Sequence, residues 1–168
     1  MFDATIAALQ AIDRAALRSL CNLLQAIRET GGTVWIAGNG GSFTTALHWA
    51  TDLSKAAGMR ACTLGANGGV LTAWANDTHY DQALALEFRR MSRGGDCLIC
   101  LSCSGKSPNI GMALRTATDL DCPTVLVTSS LVAGVIADQF IIVPATDYGV
   151  IEDAHLAIGH WLTRELQQ

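Results

Sequence analysis

Five short apolar runs punctuate the chain, at residues 33–37, 60–64, 96–101, 123–128 and 139–143. They are continuous rather than alternating. A strand with one wet face alternates apolar and polar residues, whereas a parallel strand covered on both faces is apolar throughout. Helix-like stretches fall between and around the runs: 2–29 with room for a break, 43–57 stopped by Gly58, 69–92 interrupted near Asn76-Asp77, 107–120, and 150–166. Gly31-Gly32 ends the first of these. Repeated βα units predict an α/β protein, a three-layer αβα doubly wound sheet of about five parallel strands in the flavodoxin/Rossmann manner. At 168 residues the chain suits one domain, 1–168, and two would be cramped. No repeat, linker or low-complexity segment interrupts it.

Composition excludes several function classes. Apolar residues make up 50% and charged residues 15%, which no disordered chain shows. Lys+Arg 11 against Asp+Glu 15, with no basic run, gives no electrostatic footprint for nucleic acid or anionic lipid. The apolar runs are strand-length, short of the roughly 20 residues a membrane helix needs. Met1-Phe2-Asp3-Ala4 lacks the basic start of a signal peptide. A cytoplasmic location is expected, with the six cysteines as reduced thiols. Cys97-x-x-Cys100-x-x-Cys103 imitates a cluster motif. A strand sends Cys97 and Cys100 to opposite faces, however, and cluster ligands must converge. Low charge with high apolar content points to surface buried between subunits.

In doubly wound sheets, ligands bind beyond the carboxyl ends of the strands. Two loops there carry information. Gly38-Asn39-Gly40-Gly41-Ser42 follows the first strand and opens a helix. Glycines let backbone N–H groups approach a ligand, and a helix start adds open donors and partial positive charge, which together seat an anion. Ser102-Cys103-Ser104-Gly105-Lys106-Ser107-Pro108-Asn109 follows the third strand. Ser107 suits an N-cap and Pro108 the first helical position. Its hydroxyls and helix start suit a phosphate. The first loop lacks the third glycine of a dinucleotide fingerprint, and the second has Cys100 where a P-loop needs its first glycine. A phosphate monoester on a small molecule remains.

His48 and Asp52 stand at i, i+4, on one helix face, where they can chelate one metal or share a proton. Glu152 and His155, at i, i+3 on the last helix, can meet directly. Glu152 and His160 are eight residues apart, roughly 12 Å along a straight helix. Either that helix starts irregularly or neighbouring subunits share the site.

Gly38-Asn39-Gly40-Gly41-Ser42, Asn76-Asp77 and Ser102-x-Ser104-Gly105-x-Ser107-x-Asn109 resemble the SIS (sugar isomerase) domain family from about residue 20 onward, and within it the phosphoheptose isomerases. The resemblance implies an aldose–ketose isomerase acting on sedoheptulose 7-phosphate. It implies that Ser102, Cys103, Ser104 and Ser107 hold the phosphate, with Cys103 where the family usually has Thr. Asn39, Gly40, Ser42, Asp77 and Glu152 would face the substrate. His48, Asp52, Glu152 and His160 match positions that bind zinc in some members, and Asp52 and His160 match the proposed acid–base pair. It further implies a homotetramer with sites near subunit interfaces and residues 1–30 packing on neighbours. The chain departs from the family at Asp52 (usually Glu), Glu152 (usually Gln) and Gly149 (usually Asp), and lacks an arginine expected near residues 54–58. An isomerase for another ketose phosphate, or a sugar-phosphate-binding module of the same fold, would share the loops. The four polar groups at 48, 52, 152 and 160 favour an enzyme.

Overall fold

The structure, a computed structural model, describes residues 1–130 and 133–167. Strands β1 (Thr33–Ala37), β2 (Arg60–Thr63), β3 (Cys97–Leu101), β4 (Thr124–Thr128) and β5 (Gln139–Ile142) form one all-parallel sheet, ordered β2-β1-β3-β4-β5. Around it run α1 (Phe2–Ala11), α2 (Arg14–Glu29), α3 (Gly41–Lys55), α4 (Gly68–Asp77), α5 (Tyr80–Met91), α6 (Pro108–Asp119) and α7 (Tyr148–Leu166).

The period of two along each strand sorts the apolar runs onto two cores. Val34, Ile36, Cys97, Ile99, Val125, Val127 and Ile141 meet α1, α2, α3 and α7 on one side. Trp35, Ala37, Leu98, Cys100 and Leu126 meet α5 and α6 on the other. Cys97 and Cys100 thus fall in different cores, and all six cysteines are free. Burial pushes the Cys97 thiol up to about 12, which suits an inert packed residue.

Local chemistry sets the element boundaries. The first helical stretch breaks at Ile12-Asp13, where the Asp13 side chain accepts the Ala15 N–H at 2.8 Å and caps α2. α2 buries Leu17, Leu20, Leu24 and Ile27 in the chain's own core. Helix α1, by contrast, buries only Ala8. The interruption in 69–92 falls at Thr78-His79, just past Asn76-Asp77. Buried Asp96 ties β1 to the approach to β3. It accepts the Thr33 N–H at 2.8 Å, and the Trp35 Nε1–H and Arg93 N–H at 2.9 Å each.

From β1 the chain crosses by α3 to β2 on one side, then by α4 and α5 to β3 on the other. This reversal opens a crevice at the carboxyl ends of β1 and β3. Among the described residues no helix is long and apolar enough to cross a membrane.

Candidate active site

Both loops singled out in the sequence open onto that crevice. A cleft of about 320 Å³ is lined by Asn39, Gly40, Gly41 and Ser42 from the first loop and by Leu101, Ser102, Cys103, Ser104 and Ser107 from the second. Tyr148 and Glu152, from the start of α7, close it. The helices α3 and α6 both begin at this cleft, so two sets of open N–H groups meet there.

Ser102 Oγ accepts the Gly105 N–H at 3.1 Å, and Ser104 Oγ accepts the Lys106 N–H at 3.2 Å. Ser107 occupies the N-cap position of α6, yet its side chain makes no capping bond. Among the described residues none of these three hydroxyls donates to a protein acceptor, so each keeps its proton for a ligand. Ser42 lies inside α3, its Oγ 3.9 Å from Cys103 Sγ. Burial raises the Cys103 thiol's pKa, so Cys103 faces the cleft as a neutral thiol. Among the described residues no Lys or Arg lines the cleft. An anion there would be held by dipoles and hydroxyl donors.

The Glu152 carboxylate occupies the space beside Gly41 where a side chain would start; a Cβ there would overlap Oε1 of Glu152. Glu152 thus sits at the very start of α3, where a negative charge is favourable. Asn39 is held by three hydrogen bonds: its Nδ2 donates to Asn109 Oδ1, and its Oδ1 accepts from Asn109 Nδ2 and the Tyr80 hydroxyl. Asp77 is exposed at the end of α4, takes a bond from Asn76 Nδ2 at 3.0 Å, and does not line this cleft.

A second cluster lies where α3 packs on α7. His48 Nε2 is 3.3 Å from Asp52 Oδ2, as the i, i+4 spacing requires. His160 Nε2 arrives from α7 at 3.0 Å from His48 Nε2 and 3.8 Å from Asp52 Oδ2. The register has a visible cause one residue away on each helix. Gly159 leaves room for the Trp49 indole, which any Cβ there would overlap. Trp49 Nε1–H then donates to the His155 carbonyl at 2.9 Å. With Trp49 seated on Gly159, the neighbouring His48 and His160 must meet.

These three donors fit a metal. Zinc bonds of about 2.0–2.2 Å in a tetrahedron place ligand atoms roughly 3.3–3.6 Å apart. The observed spacings of 3.0, 3.3 and 3.8 Å bracket that value. Three protein ligands with one open position are the arrangement of a catalytic zinc. Glu152 stands outside this group: only His48, Asp52 and His160 converge among the described residues. The reason is the one its spacing foretold, since α7 is a single helix from Tyr148 to Leu166. The expected direct meeting of Glu152 and His155 is also absent. His155 is fully buried and neither ring nitrogen has a partner among the described residues.

Sequence reasoning did not single out Tyr148 or Tyr80, and it read Gly41 only as part of the anion-seating loop, not as the place where Glu152 arrives. Tyr148 was recoverable, because it stands at i, i+4 to Glu152 on α7. The other two contacts join residues remote in sequence.

The comparisons with known proteins agree with this geometry. The SIS domain model matches residues 2–129. A phosphoheptose isomerase of Mycobacterium bovis (strain BCG / Pasteur 1173P2) is 34% identical over 159 residues, covering 90% of this chain and 81% of that protein. One of Bradyrhizobium sp. (strain BTAi1) is 30% identical over 160 residues, covering 91% and 80%. The solved phosphoheptose isomerase of Neisseria gonorrhoeae superposes with a TM-score of 0.90 at 25% identity, covering 98% of this chain and 94% of that one. Fold, loops and relatives converge, and the chain belongs to the SIS domain family, among the phosphoheptose isomerases.

Proposed function

We propose that this protein is an aldose–ketose isomerase that interconverts sedoheptulose 7-phosphate and D-glycero-D-manno-heptose 7-phosphate through an enediol. The observation that carries the reading is the pairing of a hydroxyl-rich cleft with a His-Asp-His cluster on α3 and α7, two of the three helices that begin at that cleft. The seryl hydroxyls and the starts of α3 and α6 hold the phosphate. Asn39, Gly40, Ser42 and Glu152 face the sugar, whereas Asp77 stands outside the cleft of the same subunit. Ser42 and His48 are six residues apart, about 9 Å along α3, a distance of the order of a seven-carbon chain. Anchoring the remote phosphate then orients the reacting end, which lowers the entropic part of the barrier.

Asp52 and His160 form the acid–base pair. Asp52 turns Oδ2 toward both imidazoles. Its other oxygen takes the proton from C1 of the ketose and returns it to C2. His160 passes the proton between O1 and O2, so the carbonyl moves from C2 to C1 and no atom is lost or gained. His48, Asp52 and His160 would hold zinc, which when bound supplies Lewis-acid polarisation of carbonyl and hydroxyl oxygens. The protein works in the cytoplasm as a single-domain homotetramer, with α1 packed on neighbouring subunits and the sites near the interfaces. That arrangement would cover the half-exposed His48 and His160 side chains.

The test is a panel of ketose phosphates of different lengths, assayed with added zinc and with chelator. The seven-carbon phosphate should turn over fastest. His160→Ala should lose turnover and retain phosphate binding; near-normal turnover in that variant would remove His160 from the mechanism. Intact binding of every sugar with conversion of none would make the protein a binding module instead.

A further inference from the structure

Asn39 and Asn109 face each other across the gap between the two ligand loops. Asn39 Nδ2 donates to Asn109 Oδ1 at 2.9 Å, and Asn109 Nδ2 donates back to Asn39 Oδ1 at 2.8 Å. The Tyr80 hydroxyl donates to the same Asn39 oxygen at 2.8 Å. Asn109 is 2% exposed, so its amide has little recourse to water if this pairing is lost. The three residues come from three separate places: the turn after β1, the first turn of α6, and the first residue of α5.

The geometry points to a clasp. Asn109 and Tyr80 are positioning residues that fix the spacing of the two loops, and through it the affinity for the phosphate end of the substrate. This inference rests on the reading of the cleft as a phosphate seat and adds what holds that seat in shape. A phosphate is gripped well only when hydroxyls from one loop and N–H groups from the other reach it together, and ordering them beforehand removes that cost from binding. The clasp also defines what Asn39 can offer. Both lone pairs of its oxygen are taken, and one N–H remains. Asn39 therefore meets substrate as a donor, which suits a phosphate or sugar oxygen.

Tyr80 makes the inference separable from simple contact. It does not line the loop cleft. It lines a neighbouring apolar cavity of about 400 Å³ with Phe43, Leu71 and Leu84. The contact of its hydroxyl with the loop is the hydrogen bond to Asn39, so removing the hydroxyl acts on phosphate through that amide.

The experiment compares the full-length protein with Tyr80→Phe, Asn109→Ala and the double variant. Binding of inorganic phosphate is measured by calorimetry, and KM and kcat on sedoheptulose 7-phosphate by steady-state kinetics. Tyr80→Phe should weaken phosphate binding and raise KM about three- to tenfold, the equivalent of one neutral hydrogen bond, with kcat within about twofold. Asn109→Ala should do more, and the double variant less than the product of the two, because both act on one amide. The Tyr80 side chain is half exposed, so Tyr80→Phe should fold even if Asn109→Ala does not, and it carries the test alone. If the unmodified protein binds phosphate and Tyr80→Phe matches it in affinity and KM, the clasp is overturned while the phosphate seat stands. An effect confined to kcat overturns it equally. If the unmodified protein binds no phosphate, the seat and the clasp fall together.

Discussion

His155 carries an imidazole into the core between Glu152 and His160 of α7, with no exposure and, among the described residues, no partner for either nitrogen. Burial pushes its pKa down from 6.5 to about 4. Above pH 6.5 neither folded nor unfolded chain binds a proton there. As pH falls below 6.5 the unfolded chain takes one that the folded chain refuses, so stability falls until about pH 4. The full effect is on the order of 3 kcal/mol. His155→Leu should flatten this slope: urea midpoints at pH 7.5 and pH 5 should converge for the variant relative to the parent. Parallel pH profiles would show that His155 is not the group responsible. Glu152 makes a second single-residue claim. Its carboxylate lies at the start of α3 in a cleft that, among the described residues, no Lys or Arg lines. A bound phosphate dianion would meet a like charge there, worth roughly 2 kcal/mol at about 4 Å in water and about half that after screening by salt. Glu152→Gln should tighten inorganic phosphate about fivefold, measured by calorimetry; unchanged affinity would place Glu152 away from the anion.

At the scale of the elements, the His48-Asp52-His160 cluster depends on how α3 lies on α7. His48 and Asp52 were legible in the sequence because their spacing is local to one helix. His160 was legible as their partner only through the family resemblance, because no local spacing links it to them and its arrival depends on the Trp49 indole seating on Gly159. Glu152 posed the opposite problem. Its distance from His160 along a straight helix was readable, and that distance is what leaves it with the loops. Gly159→Ala should therefore act on the metal site from outside it. The added methyl overlaps the indole, so α7 must shift and the 3.0 Å approach of His160 to His48 is lost. Zinc affinity, read by competition with a chromophoric chelator, should fall at least tenfold, while phosphate affinity at the loops stays near that of the parent. Equal loss of both would mean general unfolding rather than a lost register.

For the whole molecule, the apolar runs revealed five parallel strands because burial on both faces leaves a plain signature in each run. They could not reveal the order β2-β1-β3-β4-β5, since nothing in one apolar run names its neighbour. The same burial logic exposes a remainder. Helix α4 carries Val70, Leu71 and Trp74 yet buries no residue, and α1 leaves Phe2 81% and Ile6 53% exposed. A chain with 15% charged residues has few other means of keeping such faces from associating. These faces are expected to be covered by further copies of the chain, and α1 offers the cleaner test because its exposed apolar side chains lie outside both cores. The protein should sediment at a multiple of 17.7 kDa, and the double substitution Phe2→Asp, Ile6→Asp should shift it toward smaller species at micromolar concentration. Because α1 also packs along α7, which carries His160, the smaller species should lose isomerase activity more than phosphate affinity. A parent protein that sediments at 17.7 kDa would show that α1 faces water, and that the half-exposed histidines need no neighbour to complete them.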